Sequence, residues 1–210
     1  MSNLNSAQVL LQLIPTLGYI SKVTIETTYG LVITVHPDKS ITVHHNTVTN
    51  PGPDGASSHS AAAGPDPEPD AQSEQPGYKY RMFPEYIAGF VWYDSTWPGN
   101  PEGEFQVDED ELVERYGDAW NKAYDSWVDR YIAAFEKQEV HLGSHNHPFP
   151  DREERKAWVV EGLLLACWLS LQPDVENVEY SPDAEKIDLN KGSVNTVLQS
   201  FLEELEKYVT

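Results

Sequence analysis

The sequence predicts an α+β fold: a small antiparallel sheet packed against three to four helices, with a central apolar helix near residues 151–171 and a disordered linker inside the chain. Three observations lead there. Residues 151–171 read as one helix with start and stop signals, nearly unbroken in apolar character from Ala157 onward. Residues 22–45 are rich in Val, Ile and Thr, with alternating polarity. Residues 47–77 carry Pro, Gly, Ser, Ala and acids, and no apolar side chain larger than Val.

The apolar run explains itself residue by residue. Asp151 suits an N-cap, Glu153 and Glu154 suit the positive first turn, and Pro173 blocks continuation. From Ala157 to Leu171 only Glu161 and Ser170 are strongly polar, and Gly162 leaves room for a close neighbour. A helix apolar nearly all round is buried by other elements. It falls short of the ~20 apolar residues of a membrane span.

Taken in order, the chain begins with a short helix capped by Asn5 or Ser6, carrying Val9, Leu10, Leu13, Ile14 and Leu17 at helical spacing. Three antiparallel strands follow at about 22–28, 31–36 and 40–45, separated by turns at Tyr29-Gly30 and Pro37–Ser40. Residues 1–46 are too few for a core of their own, so they are expected to dock on residues 78–210. The linker, 47–77, cannot bury enough apolar surface to offset chain entropy. Beyond it, Tyr78–Phe83 and Ile87–Tyr93 read as strands that extend the sheet to five. One long helix is expected from Asp108 to about Glu139, opened by the capping-box pair Asp108 and Glu111. Leu112, Tyr116, Trp120, Ala123, Trp127, Tyr131 and Ala134 mark its inner face. Pro173–Lys191 reads as irregular apart from a strand at Val175–Tyr180. Ser193 opens a last helix, with Val194, Val197, Phe201, Leu202 and Leu205 inward.

Charge narrows the functional classes. The chain carries 34 acids against 14 bases, a net charge of −20. Residues 47–77 hold five acids and no base, and residues 78–150 hold fourteen acids against six bases. Such a surface repels phosphate, so nucleic acid and anionic lipid are poor partners and a basic protein is a good one. A single cysteine, Cys167, precludes an internal disulfide and favours a reducing compartment, the cytoplasm or the nucleus. The N-terminus lacks the basic flank and cleavage site of a signal peptide. A homo-oligomer is compatible with this pattern.

Three stretches could carry chemistry. On a continuous helix, with Glu114 at 0°, Asp125 falls at about 20°, Asp118 and Glu136 at about 40°, and Glu111 and Asp129 at about 60°. These six carboxylates would form one stripe opposite the aromatic face, suited to a basic protein surface. Next, His141, His145 and His147 crowd a Gly- and Pro-containing loop and could ligate a metal, although their spacing matches no established site. Last, Tyr93 and Trp97 could line a ligand pocket with Asp94 as its polar anchor. No G-x-S-x-G, P-loop, G-x-G-x-x-G or C-x-x-C pattern is present, and no cofactor is implied. The reading favoured is an acidic, soluble, non-enzymatic protein that binds a basic partner as adaptor, inhibitor or assembly subunit. The rival is a small enzyme or ligand-binding protein using the His loop or the aromatic segment 90–97.

Overall fold

The computed structural model describes residues 7, 22–38, 40–46, 77–85, 90–99, 105–137, 148–182 and 186–205. In chain order they form β1 (Val23–Glu26), β2 (Leu31–Val35), β3 (Ile41–His45), β4 (Tyr78–Met82), β5 (Val91–Tyr93), α1 (Glu109–Tyr116), α2 (Asp118–Lys137), α3 (Arg152–Ser170), β6 (Val175–Tyr180), β7 (Ile187–Leu189) and α4 (Val194–Glu203). The fold is α+β. The expected first helix, apart from Ala7, and the linker up to residue 76 lie outside the described residues.

The strands form two sheets, where the sequence suggested one. β1, β2 and β3 make an antiparallel meander, and the second sheet has the order β5-β4-β6-β7. The reason lies at the edges. β4 pairs with β5 on one side and, in parallel, with β6 on the other, so no edge of it remains for the meander. The parallel pair is joined by a long crossover through α1, α2 and α3, as parallel pairing requires. β7, unanticipated in a stretch read as irregular, pairs with β6. The inner face of the meander carries Ile25, Ile33 and Val43 in one rung. Val43 N donates to Asn195 Oδ1 of α4 at 2.7 Å, and Tyr29 and His45 stand edge-on to Trp168 near the end of α3.

α3 is the axis of the core. Asp151 Oδ1 accepts from Glu154 N at 2.8 Å, the expected cap. Residues 157–160 and 162–170 are all buried. Its backbone is also bonded sideways. Trp127 Nε1 of α2 donates to Trp158 O at 2.9 Å, and Trp158 Nε1 donates to Trp127 O at 3.0 Å. The two indoles stack with centroids 4.7 Å apart. One heptad away on each helix, Trp120 Nε1 donates to Leu165 O at 3.2 Å. From the other side, Tyr180 Oη donates to Val159 O at 2.8 Å. A carbonyl has two lone pairs, so each can serve its helix and a side chain together. Among the described residues no helix is long and apolar enough to cross a membrane.

The long helix expected over 108–139 is two helices. Gly117 ends α1 with φ 82° and donates its N–H to Val113 O at 2.8 Å. That left-handed conformation is one glycine adopts without a Cβ penalty. Asp108 caps α1 through Asp110 N at 2.8 Å, but Glu111 does not complete the capping box, because its carboxylate is engaged elsewhere.

Gly162 provides a direct test of the packing. A Cβ placed there would lie 2.5 Å from both Trp127 Cζ2 and Tyr180 Oη. Gly162→Ala should therefore lower unfolding stability by about 1–3 kcal/mol, the usual cost of overpacking, although alanine is the better helix former. Equilibrium denaturation checks this, and an unchanged or raised midpoint would mean that α2 and α3 do not meet so closely.

Candidate acidic surface on α1 and α2

The break at Gly117 rearranges the acidic stripe. Glu111 turns away from it: Tyr93 Oη donates to Glu111 Oε1, and Arg115 Nε donates to the same oxygen at 3.0 Å. Arg115 also reaches Asp174 at 3.9 Å and lies over the Tyr78 ring, 4.1 Å from its centroid. Glu111 therefore fastens α1 to the second sheet. Glu114 remains exposed on α1, and Asp118 is exposed but paired with Lys122 at 3.5 Å. Asp129 and Glu136 are exposed on α2.

Asp125 is partly buried and accepts from Asn121 Nδ2 at 3.0 Å. Its carboxyl is held above the usual carboxylate range by burial, then by the charges of Glu109 and Asp129. Glu109 was missed in the sequence reading. On one continuous helix it would fall at about 220°, among the aromatic residues. The turn at Gly117 brings it round to Asp125 instead. The glycine itself, inside the helical pattern, was the one available signal.

The aromatic segment is self-filled. Trp97 stacks on Tyr93 with centroids 4.9 Å apart and leans on Tyr78 at 4.8 Å, while Tyr93 stacks on Tyr80 at 5.5 Å. Asp94 does not face these rings as an anchor. It accepts from Thr96 N at 2.7 Å and from the Thr96 hydroxyl, closing its own turn. Asp94 instead borders an open groove of about 660 Å³ beside the second sheet, where Lys79 pairs with Glu176 at 3.0 Å. Neither Tyr93 nor Trp97 lines that groove. Beneath the rings, Tyr80 Oη and Tyr116 Oη are 2.9 Å apart, and Tyr116 Oη donates to Asp174 Oδ2 at 3.4 Å. Burial pushes the phenols of Tyr80, Tyr93 and Tyr116 well above the ordinary tyrosine range, so they serve as protonated donors rather than as bases.

His141, His145 and His147 lie outside the described residues. Among the described residues no group of three His, Cys, Asp or Glu side chains is placed to hold a metal ion. Cys167 is fully buried, and burial pushes its thiol far above the ordinary range, which disfavours the reactive thiolate. No family model matches the chain, and none of the curated proteins or solved structures matches it.

The raised carboxyl of Asp125 has a measurable consequence. A carboxyl whose folded value exceeds its unfolded value favours folding only while protonated, and that contribution is lost as pH rises through the folded value. Asp125→Asn keeps an acceptor for Asn121 and removes the charge. It should raise stability at neutral pH by a few tenths of a kcal/mol, about the cost of a like-charge helical pair, and the gain should vanish below the carboxylate range. Denaturation of both proteins at neutral and acid pH reads the difference, and a variant less stable at neutral pH would contradict it.

Proposed function

We propose that this protein is an acidic, soluble, non-enzymatic binder whose α1–α2 surface docks on a basic protein partner in the cytoplasm. One observation supports this most strongly. The first three bases along α1 and α2 are each engaged by an acid: Arg115 by Glu111, Lys122 by Asp118, and Arg130 by Glu161. Glu109, Asp110, Glu114, Asp125, Asp129 and Glu136 have no cationic partner among the described residues. These six carboxylates, against the exposed Lys137 at the end of α2, leave this surface acidic, and an acidic surface is complementary to a basic one. Asp125 adds weight, because a carboxylate placed against its own stability is a common mark of a functional position.

The six carboxylates taken from the sequence contribute unequally to this reading. Glu114, Asp118, Asp125, Asp129 and Glu136 would face the partner, Glu109 joins them, and Glu111 holds α1 in place. A cytoplasmic setting suits a chain with a single buried cysteine. The ligand-binding or enzymatic alternative would need the His loop or the aromatic segment, whose rings stack on one another.

The test is a variant carrying Glu114→Gln, Asp118→Asn, Asp125→Asn and Asp129→Asn. It should fold with unchanged or slightly raised stability, because like-charge repulsion falls. Calorimetry against a basic protein that binds the wild type should show that the variant has lost it. Wild-type association should weaken with salt, since charges at an interface rim act through a field with a screening length of ~8 Å at physiological ionic strength. A folded variant with unaltered affinity would remove this surface from consideration.

A further inference from the structure

Beside Asp125 lies a polar atom that the fold leaves unserved. Asn121 is 9% exposed. Its Nδ2 donates to Asp125 Oδ2 at 3.0 Å, yet its Oδ1 is closed to solvent and has no hydrogen-bond partner. Reversing the amide would set its oxygen against the ionised Asp125, so the carboxylate dictates which end is left over. A buried acceptor without a donor is costly and uncommon in native proteins. Nitrogen and oxygen of one amide share a carbon, so the orphan oxygen lies close to Asp125, the carboxyl on which the charges of Glu109 and Asp129 act.

The group that suits this place must be cationic, to answer the carboxylates, and must carry several N–H donors, to serve the amide oxygen as well. We infer that the Asn121–Asp125 site takes the guanidinium of an arginine side chain from the basic partner, one edge bonding Asp125 and a further N–H bonding Asn121 Oδ1. This rests on the binding function proposed above and names its anchor. Arginine fits where lysine does not: its planar fork presents five donors in fixed directions, whereas an ammonium is a compact point charge. Asn121 Oδ1 is closed to solvent, so entry of the group requires the partly exposed Asp125 to turn aside.

Calorimetry of the full chain with two short synthetic peptides at low salt tests this, one alternating arginine with glycine and the other lysine with glycine. The arginine peptide should bind about tenfold more tightly, a difference of ~1.4 kcal/mol. Two variants should abolish the preference while keeping weaker, equal binding of both peptides. Asn121→Leu removes the orphan oxygen, and Asp125→Asn removes the charged anchor but keeps the amide bonded. Thermal unfolding of each confirms that it is folded. Equal affinity of the wild type for the two peptides, or a preference that survives in whichever variant folds, would overturn the arginine site and leave the docking surface standing. Failure of the wild type to bind either peptide would sink both proposals together.

Discussion

The reciprocal bonds between Trp127 and Trp158 hold the structure together. Each indole donates to the backbone carbonyl of the residue that bears the other, and the stacked rings fill the space between α2 and α3. A buried indole N–H needs an acceptor, and in an apolar interface the helix backbone is the nearest source. Bonding to backbone rather than to side chains fixes both the rotation and the register of the helices. Trp120, one heptad from Trp127, repeats the bond one heptad from Trp158. Gly162 is the other half of the same constraint, since the Trp127 ring and the Tyr180 phenol occupy the space its side chain would take.

With α2 clamped by its tryptophans, its opposite side has no choice but to face outward. Asp118, Asp129 and Glu136 are exposed because Trp120, Tyr124 and Trp127 are buried. α1 is held differently, by polar latches to the second sheet: Tyr93 to Glu111, Arg115 to Asp174, and Tyr80 to Tyr116. These latches hold Glu111 and Arg115 to their partners beside the second sheet and leave Glu109 and Glu114 on the surface. The charge pattern on which the functional reading rests is thus a by-product of aromatic packing on α2 and of the sharp turn that ends α1.

Much of this was legible in the sequence. Asp151, the apolar run and Pro173 mark α3, because caps and helix breakers act locally. The turn residues Tyr29-Gly30 and Pro37–Ser40 separate the three strands of the meander for the same reason. Val175–Tyr180 appears as expected. Features that depend on distant residues were not legible. The parallel pairing of β4 with β6 joins segments far apart in the chain, and no local pattern announces it. β7 is only three residues long, too short for alternation to register, and exists because β6 offers it an edge. Asn190, not Ser193, accepts the N–H groups of Gly192 and Ser193 at the start of α4, since either side chain would suit the position by type. For the acidic site, the carboxylates themselves could be read, but their grouping depended on the backbone conformation of Gly117. Asn121 carried no sequence signal, because an unpaired oxygen is a property of packing.

The tryptophan clamp is best measured by a double-mutant cycle. Trp127→Phe and Trp158→Phe, singly and together, would be compared by equilibrium denaturation. Each replacement removes one indole donor and trims a stacked ring. If the pair acts as a unit, the double variant should lose less stability than the sum of the single losses, with a coupling energy of about 0.5–3 kcal/mol, as for residues sharing a hydrogen-bond network. Losses that add within about 0.3–0.5 kcal/mol, the margin seen for independent sites, would contradict the account. The outward orientation of the acidic surface would then need another cause.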